Sequence, residues 1–331
     1  MKVNEHNRSI LSLFFCILAA TLCTHQMSEG DPLLSKGTRR LQRDVPKFDG
    51  KAAYGMLLHQ TEFGPRAPGS VGHEKCLRFL ERELKSSADA VQRQQFWHNL
   101  PPGSKRIRLT NIISAFNINA SKRILLTAHW DTRPWADQDP DPKNRAKPII
   151  GANDGASGVA VLLELARQLK RNPPPIGVDI VLFDGEDLGT TGVAESFSAG
   201  AKYFARNRPA GMNPLFAINI DMVGDRDLLI PREVNSDRYA PHLMNLIFTT
   251  AQELGISQFI DSPGTEVTDD HMPLMNAGIP AVDLIDFSYP DETNKYWHTI
   301  ADTPDKCSSE SLSAVGRVLV AIIYSKASTI Q

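Results

Sequence analysis

The chain lacks a charge excess of either sign, internal repeats and long low-complexity segments. Its 331 residues carry a formal net charge of -2, which provides no basic stripe and argues against nucleic acid as a partner. With 41% hydrophobic and 22% charged residues, the composition excludes a disordered or fibrous chain and favours one large globular α/β domain.

Long uninterrupted apolar runs are also missing, except at the N-terminus. Residues 9–23 contain no charged side chain and include the apolar run LSLFFCILAATL. This run is short for a membrane span and is typical of a signal peptide, which we expect within residues 1–30. A lipid-modified Cys23 and an uncleaved anchor remain alternatives. We therefore expect an exported protein that is periplasmic, secreted or attached to a membrane only through this segment.

Cysteine is scarce, and only Cys76 and Cys307 follow the leader. The two can pair in an oxidising compartment. Cys76 also lies among apolar residues at helical spacing, which is equally typical of a buried thiol. The sequence leaves both alternatives open.

The order of the predicted elements indicates one domain over residues 48–331, after a polar linker at 31–47. Apolar spacing predicts helices over residues 52–60, 73–85, 156–169, 194–204, 241–254 and 309–324. Apolar or alternating runs predict strands over residues 91–97, 106–116, 124–128, 180–183, 214–223 and 278–286. The first two strands would form an edge hairpin with its turn at 101–103. This order predicts a three-layer α/β fold, in which helices cover both faces of a central, mixed but mostly parallel twisted sheet.

Histidine and carboxylate side chains cluster where the predicted strands end. His129 and Asp131 follow one strand, Glu186 and Asp187 follow the next, and Asp154 precedes the helix between them. Because the carboxyl ends of parallel strands meet at one edge of a sheet, we expect these side chains to face one crevice. They would repel one another there without a cation, so the pattern predicts a metal site.

The predicted site contains enough ligands for one or two metal ions. A catalytic zinc takes three protein ligands and keeps an open position, and the candidates for these ligands are Asp154, Asp187 and His298. His129 and Asp221 are candidates for a second set, which a two-metal site would require.

Single residues of this group could instead have ordinary structural roles. Asp154 could cap the helix that follows it, and Asp221 and Asp269 could be turn or capping residues. Glu186 and Asp187 are adjacent in a turn and should point in different directions. One of them can therefore bind metal while the other stays free as a general base.

Several motifs, in this order along the chain, resemble the glutaminyl-peptide cyclotransferases (glutaminyl cyclases), particularly the bacterial members of the animal-type family. They are NIISAFNINASKRILLTAHWDTRPW, GANDGASGVAVLLELAR, LFDGEDLG, NIDMVGD, TDDHMPLMNAGIPAVDLID and YWHT. The resemblance covers the chain from about Phe48 and implies the fold of zinc-dependent aminopeptidases. It also implies cyclisation of the N-terminal glutamine of peptides and proteins to pyroglutamate, with release of ammonia. A di-zinc aminopeptidase is the alternative.

The resemblance implies roles for individual metal-binding residues. The ligands of a single zinc would be Asp154, Asp187 and His298, although animal cyclases carry Glu-Glu where this chain has Glu186–Asp187. His129 matches a position that holds the second zinc in the peptidases, as does Asp221. One zinc is expected for a cyclase and two for an aminopeptidase.

The resemblance also implies catalytic and substrate-binding residues. Glu186 would be the general base, and Asp221 and Asp269 would be its supporting carboxylates. Asp131, beside His129, is a supporting or second-metal candidate. The aromatic residues expected to bind substrate are Trp297, Tyr289 and Trp130, for which core packing is the alternative.

Overall fold

The structure, a computed structural model, describes residues 45–100 and 105–326, and all of them belong to one compact unit. The predicted leader, most of the predicted linker and the predicted turn at 101–103 lie outside the described residues. The division into leader, linker and domain therefore stays a prediction. Among the described residues, no helix is both long enough and apolar enough to cross a membrane.

The longer helices lie close to their predicted positions. Within the described ranges, the helices are α1 (Gly50–Thr61), α2 (Val71–Ser87), α3 (Ser157–Arg171), α4 (Ala199–Arg206), α5 (Val234–Tyr239), α6 (Pro241–Glu253), α7 (His271–Asn276) and α8 (Ser309–Tyr324). The helix predicted over 194–204 begins later because Ala194–Ser196 forms a separate 3₁₀ turn and Ser198 has a left-handed backbone with φ of 60°. The short helices α5 and α7 do not follow from the apolar spacing.

The strands build one large and one small sheet. In the described residues, they are β1 (Ala90–Asn99), β2 (Arg106–Phe116), β3 (Arg123–His129), β4 (Gly177–Phe183), β5 (Ala217–Asp221), β6 (Ile230–Arg232), β7 (Phe259–Pro263) and β8 (Ala281–Ile285). The large sheet has the order β1-β2-β4-β3-β5-β8, and β6 pairs with β7.

The strand directions confirm the predicted mixed sheet. Strands β4, β3, β5 and β8 are mutually parallel, whereas β1 and β2 form an antiparallel pair at one edge. The hairpin joins the sheet through an antiparallel pairing of β2 with β4. The four parallel strands therefore end at the same edge of the sheet, where the predicted site residues follow them.

Side chains of the central strands alternate between the two faces of the sheet, as the two-residue period of a strand requires. On β3, Ile124 and Leu126 belong to the larger hydrophobic cluster, which includes side chains of α1, α2, α3 and α8. Leu125, between them, belongs to a second cluster with side chains of α4 and α7. Helices thus cover both faces, which confirms the predicted three-layer α/β fold.

The two cysteines beyond the leader are free and buried. Cys76 is 0% exposed and Cys307 is 1% exposed, and neither forms a disulfide. Burial raises the pKa of the Cys76 thiol to about 12, so this side chain behaves as a small apolar group. The structure therefore supports buried thiols over pairing.

A buried carboxylate, Glu233, connects α5 to the segment before α7. Its oxygens accept hydrogen bonds from the backbone N–H groups of Asn235 (2.9 Å), Ser236 (2.6 Å) and Val267 (3.0 Å). Burial alone would raise the pKa of Glu233, but the interactions with His271, Ser236 and Val267 lower it to about 2. The ionised form is therefore favoured in the folded protein.

Glu233→Gln should destabilise the protein in a pH-dependent way. Near pH 7 we expect the free energy of unfolding to fall by about 1–3 kcal/mol, because backbone donors lose a charged acceptor. Since the native pKa lies below the ordinary 4.5, wild type loses this stabilisation as the pH falls from about 4.5 towards 2, and the difference should shrink. Denaturant unfolding between pH 7 and pH 3 measures it. A constant difference, or an equal effect of the exposed control Glu292→Gln, would contradict this account.

Candidate metal centre

The site forms at the carboxyl ends of the parallel strands. His129 is the last residue of β3, Asp221 is the last residue of β5, and β4 leads into the 3₁₀ turn Glu186–Leu188. Asp154 lies on the segment that enters α3, and His298 lies on the loop between β8 and α8. The predicted ligands, which are far apart in the sequence, are therefore brought to one edge of the sheet.

One group of three potential ligands consists of Asp154, Asp187 and His298. The Nε2 atom of His298 lies 3.2 Å from Asp187 Oδ1 and 3.6 Å from Asp154 Oδ2. All three side chains are buried, and one ligand atom from each lies within 4.8 Å of the others. This is the set that the sequence predicts for a single zinc.

A second group consists of His129, Asp154 and Asp221. The Nε2 atom of His129 lies 3.1 Å from Asp221 Oδ1 and 3.2 Å from Asp154 Oδ1. Burial opposes protonation of His129, but Asp221 and other nearby carboxylates raise the pKa of this imidazole well above the usual range. Asp154 belongs to both groups, and a shared carboxylate is what a two-metal site requires.

The residues present fit a metal ion. Among the described residues, Asp154 Oδ2 and Asp187 Oδ2 are buried and have no hydrogen-bond partner. Buried polar atoms are normally paired, so these atoms require an explanation. One imidazole nitrogen and two carboxylate oxygens match a catalytic zinc with an open coordination position.

The two carboxylate ligands differ in pKa, and the raised pKa of Asp154 indicates the same requirement. Burial and the neighbouring Asp187 raise the pKa of Asp154 to about 7. Burial would also raise the pKa of Asp187, but His298 and Arg133 lower it to about 2. A cation beside Asp154 would replace the proton that its raised pKa favours.

The turn that carries Glu186 and Asp187 is fixed by Gly185 and Asp131. Gly185 has φ of 75°, and an added Cβ would lie 2.5 Å from Leu109 Cδ1, so the turn requires glycine. Asp131 Oδ1 accepts the N–H of Glu186 (3.1 Å) and its Oδ2 accepts the N–H of Asp187 (3.2 Å). Asp131 is therefore better explained as a supporting residue than as a second-metal ligand.

Glu186 faces the cavity beside Asp269. Burial and the nearby Asp269 raise the pKa of Glu186 well above the usual range. Asn219 Nδ2 donates to Asp269 Oδ2 at 2.8 Å, and burial together with Asp221 raises the pKa of Asp269 to about 6. A raised pKa makes the Glu186 carboxylate hold a transferred proton more readily, as a general acid–base group must.

A cavity of about 350 Å³ opens onto the metal-ligand groups and Glu186. Trp297 lines it, and its ring stacks on the His298 imidazole with centroids 3.8 Å apart. Other apolar lining residues are Phe197, Met222, Val267, Ile285 and Phe287. The cavity thus has an acidic end at the ligands and apolar walls.

Trp130, which we expected to contact substrate, does not line this cavity. It is 0% exposed, and its ring stacks on His73 with centroids 4.2 Å apart. Its Nε1 donates to the carbonyl oxygen of Thr110 at 3.2 Å. The expectation is corrected to the core-packing alternative, because the side chain packs on His73 and Thr110 and takes no part in the cavity lining.

Tyr289 does not line the cavity either, and it supports the site indirectly. It is 0% exposed, and its hydroxyl donates to Asp302 Oδ1 at 2.9 Å. Asp302 in turn accepts the backbone N–H groups of Asn153 (2.8 Å) and Asp154 (3.1 Å). The expected substrate contact of Tyr289 is therefore corrected to a contact that orients the segment carrying Asp154.

Several residues at the site were not predicted from the sequence. They are Arg133, Asp137, Asn219, Asp302 and the cavity residues Phe197 and Phe287. A further buried group, Asp269, His271 and Asp283, also brings ligand-type atoms within 4.8 Å of one another. The sequence run 269–271 contains two members of this group. The third member, Asp283 on β8, is brought beside them only by the pairing of the strands.

The fold and the ligand groups identify the class of protein. The model of peptidase family M28 matches residues 111–323, which include both ligand groups. The chain belongs to this family.

Within the family, the chain is similar to glutaminyl cyclases. It is 39% identical to Porphyromonas gingivalis glutaminyl cyclase, over 82% of this chain and 96% of that one, with a TM-score of 0.79. A leucine aminopeptidase precursor from Bacteroides thetaiotaomicron is 37% identical over 85% of this chain and 99% of its own, with a TM-score of 0.82. The glutaminyl-peptide cyclotransferase-like protein of Mus musculus is 26% identical, over 88% of this chain and 80% of its own length. The predicted resemblance to glutaminyl cyclases is confirmed.

Zinc should stabilise the protein by neutralising Asp154 and Asp187. After treatment with a chelator, the thermal midpoint of unfolding should fall, and added zinc should restore it in a concentration-dependent manner. At a zinc concentration about one hundred times the dissociation constant, the free energy of unfolding should rise by about 2.7 kcal/mol. Asp187→Ala should abolish this response. The control Asp286→Asn should retain it, because buried Asp286 accepts hydrogen bonds from the backbone of Leu229 and Ser288 instead. An unchanged zinc response in Asp187→Ala would refute the ligand assignment.

Proposed function

We propose that this protein is a zinc-dependent glutaminyl-peptide cyclotransferase. It converts the N-terminal glutamine of peptides or proteins to pyroglutamate and releases ammonia. The observation that carries the proposal is Glu186 at the acidic end of a small apolar-walled cavity, next to the group Asp154, Asp187 and His298. The similarity to glutaminyl cyclases over most of the chain supports it.

The cavity has the properties that an intramolecular cyclisation needs. The substrate supplies both reacting groups, so the protein must position the α-amine against the side-chain amide rather than add a nucleophile. The apolar walls formed by Trp297, Phe197 and Phe287 would hold the glutamine side chain and exclude water, which would otherwise compete as a nucleophile.

Glu186 would transfer the proton. As the α-amine nitrogen bonds to the amide carbon, Glu186 accepts a proton from that nitrogen and delivers it to the departing amide nitrogen, which leaves as ammonia. Asp269, held by Asn219, would favour the protonated form of Glu186 between these two steps, and Asp221 would raise the proton affinity of Asp269. A zinc ion bound by Asp154, Asp187 and His298 would polarise the amide carbonyl.

A di-zinc aminopeptidase is the second candidate function. The second ligand group, His129, Asp154 and Asp221, favours it because the shared Asp154 could bridge two ions. Glu186 would then activate a water molecule. The cyclase is favoured by the resemblance to glutaminyl cyclases in the adjacent Trp297 and His298 and in the polar segment 136–148 that follows the run HWDTRPW. We accordingly propose one zinc per chain.

We also propose that the protein acts outside the cytoplasm. The charged start and apolar run of residues 1–30 support export, with release or attachment to a membrane depending on whether this segment is removed. Its substrates would then be exported peptides or proteins that begin with glutamine.

Parallel assays on one purified sample distinguish the two functions. With a glutaminyl peptide we expect ammonia and a pyroglutamyl product, with a leucyl amide no free leucine, and by metal analysis about one zinc per chain. Release of leucine with about two zinc ions per chain would make the protein an exopeptidase, with His129 and Asp221 as ligands.

Glu186→Gln should remove the proton carrier and keep the metal. We expect zinc content to be unchanged and cyclisation to fall by about 10²–10⁴-fold, the usual contribution of general acid–base catalysis. Ammonia release under saturating substrate measures the effect. The control Glu266→Gln, which alters an exposed carboxylate of the same cavity, should change the rate little. Turnover within threefold of wild type in Glu186→Gln would show that another group transfers the proton.

A further inference from the structure

Arg133 is a fully buried arginine that lies behind the predicted zinc ligands. Its exposed fraction is 0%. Its Nη1 donates to the carbonyl oxygen of Asp187 (3.1 Å), to Asp187 Oδ1 (3.3 Å) and to the carbonyl oxygen of Gly189 (3.2 Å). One guanidinium group therefore fixes both the side chain and the backbone of a ligand.

Asp137 neutralises this arginine and also approaches His298, which lies on a different loop from Asp187. Its Oδ1 accepts from Arg133 Nε at 2.7 Å and its Oδ2 accepts from Arg133 Nη2 at 2.8 Å. The same Oδ1 lies 3.7 Å from Nδ1 of His298. Carboxylates beside a metal-binding histidine commonly orient its ring and increase its basicity. The pair thus contacts two members of one ligand group.

The pair also contacts the segment 189–197, part of which lines the cavity. Arg133 Nη2 donates to Thr191 Oγ1 at 2.9 Å, and the Thr191 hydroxyl donates to Asp137. The guanidinium carbon lies 5.3 Å from the centroid of the Phe197 ring. Thr191 and Phe197 both line the cavity beside Glu186.

We propose that Arg133 and Asp137 form a positioning pair that holds Asp187, His298 and the Thr191–Phe197 wall in one arrangement, and so sets both zinc affinity and substrate binding. The part that concerns substrate rests on the proposed cyclase function. The part that concerns zinc does not.

The two members of the pair contribute differently. A guanidinium 3.3 Å from a ligand oxygen repels a metal cation, unless its own charge is compensated. Asp137 supplies that compensation and faces His298. Loss of the Asp137 charge should therefore weaken zinc binding most. Replacement of the Arg133 guanidinium should mainly allow Thr191 and Phe197 to move, since lysine cannot reproduce five directed donors.

A second arginine–aspartate pair in the chain provides a matched control. Arg123, at the start of β3, donates to both carboxylate oxygens of Asp179 on β4 at 2.9 Å and 2.7 Å. This pair also has two hydrogen bonds and little exposure, with side chains 14% and 2% exposed. It lies at the end of the strands opposite to the metal-ligand groups, so changes there report general loss of stability.

Zinc affinity tests the first part. The dissociation constant would be measured on the full-length protein by competition with a chromogenic chelator, which requires no turnover. Asp137→Asn should weaken zinc binding by roughly 10–100-fold, the usual effect of removing such an outer carboxylate. Asp179→Asn should leave zinc affinity within twofold of wild type. An affinity of Asp137→Asn within twofold of wild type, or an equal loss in Asp179→Asn, would overturn the proposal.

Steady-state kinetics on a glutaminyl peptide test the second part. At saturating zinc, Arg133→Lys and Thr191→Val should raise KM several-fold, whereas kcat should change less. Both substitutions loosen the Thr191–Phe197 side of the cavity and remove no reacting group. Arg123→Lys should leave KM unchanged. Unchanged KM in Thr191→Val, an exposed position whose substitution leaves the core intact, would refute the wall role even if Arg133→Lys failed to fold. If the wild-type protein catalysed no cyclisation, only the proposed function would be refuted. The zinc dissociation constants would still decide whether Arg133 and Asp137 position the ligands.

Discussion

The mutual repulsion of buried carboxylates at the strand ends is the constraint on which the rest of the site depends. Asp154 lies between two histidines, 3.2 Å from His129 and 3.6 Å from His298, and its pKa is raised to about 7 by burial and Asp187. A carboxylate in this position must take up a proton or share a cation. A bound metal ion would meet this need, and bringing these side chains together also requires a frame that holds them against their own repulsion.

That frame consists mostly of hydrogen bonds from backbone groups to carboxylates that bind no substrate. Asp131 holds the Glu186–Asp187 turn, and Asp302 holds the segment that carries Asp154. Each of these two ligand-bearing segments therefore has its own anchoring carboxylate. The buried Arg133 adds a positive charge to this acidic edge. Rigid support of this kind fixes geometry before substrate arrives, which is what a reaction within a single glutamine residue needs most.

Much of the fold and the central part of the site could be predicted from the sequence, because both are encoded locally. Helical spacing located α8 at its observed bounds, and the apolar runs located β3 and β4. Ligand types at the strand ends, together with the rule that parallel strands end at one edge, were enough to group Asp154 and Asp187 with His129. His298 follows no strand directly, and the resemblance carried by the motif YWHT added it to the group. Short elements such as α7 were missed, since six residues give too few periods to recognise.

The sequence by itself determined the fold class and predicted the edge of the sheet at which the ligand-type side chains meet, because periodicity and strand ends are local properties. Only the tertiary structure decided which aromatic residues face the cavity: Trp297 lines it, whereas Trp130 turns into the core and Tyr289 contacts Asp302. It also revealed that Arg133 contacts Asp187 across 54 positions of sequence. The direction of a side chain and its distant partners depend on packing against every neighbouring element, and no local pattern records that.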